Sequence, residues 1–153
     1  MAEAMPVEDL HVRFRTPAGE VKALNGVNFV LEAGEIYCLV GESGAGKSTL
    51  ALAIMGLLPV SAGVPSGRVI FNDLDLLKIR REQLRTIRGN QVSMIFQDAQ
   101  SALNPVQLVG PQLEEVILAH TDVGSRVANS MAQEVLREID RKSTRLNSSH
   151  ALI

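Results

Sequence analysis

The chain has 153 residues, 46% hydrophobic and 21% charged, enough for one compact domain with a real core. Fifteen Lys and Arg against seventeen Asp and Glu leave a formal net charge of −2, and aromatics make up 3%; both argue against a nucleic-acid surface or a base-stacking platform. A single cysteine, Cys38, excludes an intrachain disulfide. The apolar run 50–58 is interrupted by Gly56, ended by Pro59 and too short to cross a bilayer. No basic-then-apolar secretory signal opens the sequence, so any membrane association is expected to come through a partner.

In chain order, residues 7–14 alternate as a strand, with Leu10, Val12 and Phe14 on one side. Thr16-Pro17-Ala18-Gly19 is a turn. Residues 21–31 read as a second strand, kinked near Asn25-Gly26, in which Val27, Phe29 and Leu31 alternate with Asn28 and Val30. Ala33-Gly34 turns into Ile36-Tyr37-Cys38-Leu39-Val40, expected to be a short buried strand with Cys38 buried and inert. Residues 50–55 are apolar and helix-compatible, ending near Gly56, and 59–67 form a loop. Residues 68–71 are a short strand, followed by a turn at Asn72-Asp73. Residues 77–88 are basic and amphipathic, an expected exposed helix with Arg80, Arg81, Arg85 and Arg88 on its solvated face. Val92-Ser93-Met94-Ile95-Phe96 is a second expected buried strand, and 97–105 a polar loop. Pro111 sits in the first turn of a helix over 111–119 carrying Leu113, Val116 and Ile117 at helical spacing. A further helix over 125–139 carries Val127, Met131, Val135 and Ile139 at i+4 steps. There is no internal repeat, the methionines are scattered, and His11 and His120 show no partner at ligand spacing.

Gly41-Glu42-Ser43-Gly44-Ala45-Gly46-Lys47-Ser48-Thr49 carries the chemistry. It fits G-x-x-x-x-G-K-[ST], the loop that cradles nucleotide phosphates, and it lies between an expected strand and an expected helix. Strand, glycine loop and helix together aim backbone N–H groups and a helix N-terminus at an anion. Gly41 and Gly46 let the chain turn and approach phosphate without an intervening Cβ, and Gly44 with Ala45 keeps the rim small. Lys47 brings a cation to the β- and γ-phosphates, Ser48 offers a hydroxyl to Mg²⁺, and Thr49 adds a phosphate contact. Ser43 completes the loop.

Beyond Ile139 the character changes. Asp140-Arg141-Lys142-Ser143-Thr144-Arg145-Leu146-Asn147-Ser148-Ser149-His150 has no apolar periodicity and is expected to fray into solvent. It is similar, residue for residue, to one reading frame of a common sequencing-library adapter. Residues 140–153 are therefore expected to be a non-native tail on a domain of residues 1–139.

Gln97 follows the expected strand 92–96, fifty positions after Lys47. Phosphate loop, strand and glutamine in that order resemble the nucleotide-binding domain of ATP-binding cassette (ABC) transporters. The finer resemblance is to the ATPase subunits of dipeptide, oligopeptide and nickel importers. It is carried by residues 40–48, by Met55-Gly56-Leu57-Leu58-Pro59, by Ser93-Met94-Ile95-Phe96-Gln97-Asp98, by Leu103-Asn104-Pro105, and by Gly110 with residues 112–115. Ala99 departs from it, since the family usually has proline there. The resemblance implies an α/β fold, a P-loop NTPase core of the ABC type with an N-terminal antiparallel β layer. It implies ATP and Mg²⁺ as cofactors, Gln97 meeting the metal and the attacking water, and Phe14 stacking on adenine. Such stacking is worth about 1–3 kcal/mol on nucleic-acid platforms. The implied partners are a second ATP-binding subunit, transmembrane permease subunits and, indirectly, an extracytoplasmic solute-binding protein. The implied location is the cytoplasmic face of the inner membrane, held peripherally.

The family's L-S-G-G-Q signature, its strand ending in Asp-Glu and its switch histidine do not occur in these 153 residues. The chain thus reads as a fragment truncated before the signature and the catalytic carboxylates. It is expected to bind nucleotide weakly and turn it over negligibly, with hydrolysis belonging to an intact parent that imports peptides. The strands 36–40 and 92–96 are expected to lose neighbours and expose apolar edges, leaving a poorly soluble fragment. Two other readings stand beside the importer: a P-loop nucleotide or small-molecule kinase with Arg80, Arg81, Arg85 and Arg88 as a lid, and a non-catalytic nucleotide-binding fragment.

Overall fold

The computed structural model describes residues 4–97 and 103–149. The chain divides into two units, one up to Met94 and one from Ile95. The first unit is built on the alternation of its opening segment. Strand β1 (Met5–Thr16) turns at Pro17-Ala18 into β2 (Gly19–Leu31), and the two pair antiparallel. The Thr16 hydroxyl closes the turn by donating to the Gly19 carbonyl at 2.7 Å. Strand β3 (Ser66–Phe71) pairs antiparallel with the other side of β1, and β4 (Leu74–Asp75) continues from it through Asn72-Asp73, giving the order β2-β1-β3-β4.

Three register shifts between β1 and β2 bend this layer. Pairing passes from Val7↔Phe29 to Leu10↔Val27, then to Val12↔Leu24 and to Arg13↔Lys22, so β1 carries one extra residue and β2 then carries one at each of the next two steps. The first bulge is at Asp9, whose N–H donates to Asn28 Oδ1 at 2.8 Å and whose carboxylate lies 2.9 Å from His11 Nε2. His11 therefore has a carboxylate partner that its spacing did not suggest. The second falls at Asn25-Gly26, where the kink was expected.

Leu10 and Val12 are fully buried and Phe14 partly so, as their alternation predicts. They meet Leu24 of β2, Val69 of β3, and Leu50 and Ala53 of helix α1 (Lys47–Ile54). Leu84 and Ile87 of helix α2 (Arg81–Ile87) complete this core with Leu76. Each fully buried Leu, Ile or Val among them contributes about 1.5–3 kcal/mol by leaving water.

Helix α2 is shorter than its basic pattern suggests. Asp75 Oδ1 accepts the N–H groups of Leu77 (3.2 Å) and Val69 (3.4 Å), and Lys78 Nζ lies 2.7 Å from Oδ2. These local bonds hold residues 76–79 as turn and bend, because a carboxylate that binds nearby amides competes with helix. Burial raises the Asp75 pKa, but Lys78 and the two amides outweigh it and hold the carboxyl below its ordinary value.

Two expected strands do not form. Residues 36–40 and 93–96 carry no strand, and 88–92 is joined by a single Arg88↔Val92 bridge. Ile36 is 96% exposed, Val40 91% and Ile95 94%, and Cys38 is exposed rather than buried. The cause is the absence of partners. A strand of a parallel sheet is stabilised between neighbours on both sides, whereas β1 to β4 form an antiparallel ladder that offers neither segment a place. Tyr37 finds a lesser contact, stacked on Phe29 with ring centroids 5.0 Å apart. The α/β class and the antiparallel N-terminal layer stand as expected.

The second unit holds helix α3 (Val109–His120) packed against helix α4 (Ser125–Ser149). Its seam differs from the predicted stripe. Val127, Met131, Val135 and Ile139 remain exposed, while Ala128 and Ala132 are buried. Small residues let two helices approach, so the alanines one position along form the contact. Helix α4 also runs through residues 140–149, where a frayed end was expected. Extending an existing helix needs no new nucleus, and Arg141, Lys142, Arg145 and Leu146 are good helix formers. Residues 150–153 of the expected tail lie outside the described residues, as does Ala99.

Candidate phosphate-binding site

Residues 41–46 form a tight loop, with the Ala45 N–H on the Glu42 carbonyl at 3.2 Å, and α1 starts directly after it. Gly44 and Gly46 take φ +85° and +89°, in the left-handed region that glycine enters without strain. At Gly46, the N-cap of α1, packing adds a second demand. A Cβ there would lie 2.6 Å from the Ala23 carbonyl oxygen and 3.0 Å from Leu24 Cδ2. The bare glycine backbone thus seats the start of α1 against β2, and Leu50 and Ala53 bury its inner face. Gly41 serves mainly by size, since a Cβ there would come within 3.3 Å of the Ala45 methyl.

The helix start is open to a ligand. No side chain caps α1, and no acidic residue stands in its first turn. The Leu50 N–H is the first helical donor, reaching the Gly46 carbonyl at 2.9 Å, so the amides of Lys47, Ser48 and Thr49 before it have no helical acceptor. Ser48 is exposed, and Lys47 and Thr49 are partly so. The Lys47 ammonium folds back over the loop, donating to the carbonyls of Gly41 (2.7 Å) and Glu42 (2.6 Å). An ammonium has three N–H donors, so one remains for an anion in the bend. Ser43 lies in the turn ahead of Gly44. Behind the loop is a cleft of about 150 Å³ walled by Leu24, Val27, Leu39, Val40 and Leu50, left where residues 39–40 run beside β2 without joining a sheet.

The structure therefore gathers Gly41, Ser43, Gly44, Gly46, Lys47, Ser48 and Thr49 on one loop and helix start. Phe14, partly buried, packs against the core cluster and bridges to Ala62. Gln97 is exposed at a bend of the second unit. Among the described residues no cluster of three or more His, Cys, Asp or Glu could hold a metal, and no helix is long and apolar enough to cross a membrane.

Two side chains have tying roles, each within its own unit, that their sequence positions do not announce. Gln112 of α3 accepts the Asn104 N–H at 2.8 Å and donates to the carbonyls of Asn104, Gln107 and Leu108 at 3.1–3.3 Å, pinning the loop before its own helix. A glutamine four residues into a helix behind a loop of Asn and Pro is a weak signal, and only the contacts reveal it. Arg88, read as part of a solvated face, instead donates from Nε to the Met55 carbonyl and from Nη2 to the Gly56 carbonyl, both at 2.6 Å. A kinase lid assembled from Arg80, Arg81, Arg85 and Arg88 would lose that member. The signal available was an arginine at a helix end followed by glycine, but its partners lie more than thirty positions away.

Comparison with known proteins identifies the family. The ABC transporter family matches residues 24–151. The dipeptide transport ATP-binding protein DppD of Bacillus subtilis (strain 168) is 44% identical over 137 residues, covering 89% of this chain and 41% of that protein. The oligopeptide transport ATP-binding protein OppD of the same organism is 41% identical over 133 residues, covering 86% and 37%. OppD of Salmonella typhimurium is 43% identical over 136 residues, covering 89% and 39%. The chain thus spans about two fifths of the length of the curated relatives it matches. With the family matched over most of its length and the phosphate loop folded around a helix start, the chain belongs to the ABC transporter family.

Proposed function

We propose that this chain carries the nucleotide-binding part of the ATP-binding subunit of an ABC importer for peptides. The observation that carries the reading is the cradle at 41–49: an uncapped helix start, a loop that only glycine can close against β2, and the Lys47 ammonium held over it. Names of the relatives supply the transported class, since those proteins are dipeptide and oligopeptide transport ATP-binding proteins.

In this reading the amides of residues 46–49 and Lys47 grip the phosphate tail. The donor set of the loop fits ATP with Mg²⁺: the exposed Ser48 hydroxyl would hold the metal beside the phosphates, and Gln97 keeps the role that the family resemblance implies, meeting the metal and the attacking water. A metal held there would supply neutralisation of the phosphate charge. Phe14 would stack on adenine, which requires it to leave part of its packing on the core. Residues 1–139 would be the first part of a longer subunit in which segments 36–40 and 92–96 find sheet neighbours, and 140–153 would be foreign to it. That subunit would pair with a second copy or a sister subunit, drive permease subunits from the cytoplasmic face of the membrane, and receive solute indirectly from an extracytoplasmic binding protein. The exposed apolar stripe of α4 would serve the permease contact.

A competition series tests the reading. With a fluorescent ATP analogue and magnesium, ATP and ADP are expected to displace the probe at least roughly tenfold more effectively than AMP, because charge-assisted bonds to the outer phosphates carry the affinity. Equal displacement by AMP would place recognition on the nucleoside and defeat the proposal.

A further inference from the structure

Gly46 fixes the start of the phosphate-loop helix against β2, and a separate device fixes its end. Helix α1 closes at Ile54, and a helix C-terminus leaves carbonyls without helical partners. Arg88 takes the carbonyl of the C-cap residue Met55 and that of Gly56 just beyond it, with adjacent arms of one guanidinium. That planar fork suits paired acceptors in a way a point-like ammonium does not. Its charge also complements the negative end of the helix dipole. The guanidinium and Leu84 pack directly on the bare glycine, since a Cβ on Gly56 would lie 2.7 Å from both Arg88 Nη2 and Leu84 Cδ2. Burial lowers the Arg88 pKa from its ordinary value, as expected for a guanidinium drawn out of water by packing.

Arg88 is itself anchored. Its N–H ends α2 on the Leu84 carbonyl at 3.0 Å, and Leu84 and Ile87 lie in the core. The turn beyond it is tied by Gln91 N–H and Val92 N–H to the Ile87 carbonyl (2.8 and 3.1 Å) and by Gly89 N–H to the Val92 carbonyl (2.9 Å).

We propose that Arg88 is a positioning residue for the phosphate site: by locking the far end of α1, it sets where the open amides at the near end point. The lever is short. Eight residues make a helix about 12 Å long, so a tilt of about 5° moves the opposite terminus by roughly 1 Å. Misplacement of that size can cost a site as much as about a hundredfold. This inference rests on the nucleotide-binding reading above.

The test measures binding of a fluorescent ATP analogue, with magnesium, to the wild-type chain, Arg88→Met and Arg88→Lys, each well below its own melting midpoint. Amide hydrogen exchange is followed on the same samples. Arg88→Met should weaken binding roughly tenfold or more, and Arg88→Lys should recover part of it. A residue that merely stabilises the fold would lower the midpoint and leave affinity of the folded protein unchanged; that result overturns the proposal. If Arg88→Met does not fold, Arg88→Lys decides, with intermediate affinity supporting and wild-type affinity refuting. If the wild type ignores the analogue, the nucleotide reading itself has failed and exchange decides the clamp. Amides of Met55 and Leu57, bonded to the Ala51 and Leu52 carbonyls, should then exchange about tenfold faster in the variant, and unchanged exchange rejects it.

Discussion

Replacing Lys47 with alanine is expected to remove nucleotide binding while leaving the fold in place. The ammonium is only partly buried, and the Gly41 and Glu42 carbonyls it leaves are on an exposed loop where water can replace it. Alanine is also the best helix former at the first position of α1. The melting midpoint should therefore change little, by the equivalent of about 1 kcal/mol or less. Binding is another matter. Losing the cation opposite a phosphate costs about 2–5 kcal/mol, roughly thirtyfold to a few thousandfold in Kd. Isothermal titration or analogue fluorescence beside a thermal melt checks both halves. Unchanged affinity in Lys47→Ala would mean that the loop is not the ligand site.

Gly46→Ala is expected to damage fold and site together. The left-handed backbone costs an alanine about 1–2 kcal/mol. The new methyl would also press on the Ala23 carbonyl and Leu24 Cδ2, and overpacking of that kind costs about 1–3 kcal/mol. The sum, about 2–5 kcal/mol, is a large share of the stability of a domain this size. Gly44→Ala provides the internal comparison. It takes a similar φ of +85°, but nothing lies within 4 Å of its Cβ, so only the conformational cost remains. Urea or thermal unfolding of the two variants should rank Gly46→Ala clearly below Gly44→Ala. Equal losses would show that the β2 contact does not constrain the helix start.

The difference between these two glycines also shows where sequence reasoning reaches its limit. Both belong to the motif, and the motif is legible because its chemistry is local: nine contiguous residues make the turn, the open amides and the cation. The packing of Gly46 on Ala23 is not local, and no spacing rule announces it. The β1–β2 hairpin was readable for the same reason as the loop, since alternation and a Pro-Ala-Gly turn act within a few residues. The bulge at Asp9, with positive φ and an Asn28 partner, was not. Residues 36–40 and 92–96 have strand composition, yet a strand exists only if another strand pairs with it, and the antiparallel layer provides no such edge for them. In α4 the large residues of the i+4 stripe promised a buried face, but Ala128 and Ala132 allow the closer helix approach and take the seam. Arg88 looks solvent-facing because the segment before it is basic, while its partners lie at the end of another helix, more than thirty positions away.

The family assignment rests on a match over residues 24–151, and the proposed phosphate site on the geometry of residues 41–49. Where a triphosphate lands on the chain decides the function proposed for it. Amide chemical shifts of the isotopically labelled chain, recorded with and without ATP and magnesium, read this out directly. The largest changes are predicted at Gly41, Gly44, Gly46, Lys47, Ser48 and Thr49. Changes centred instead on the polar cleft of His11, Arg13 and Arg15, or no change at the loop at saturating nucleotide, would contradict it.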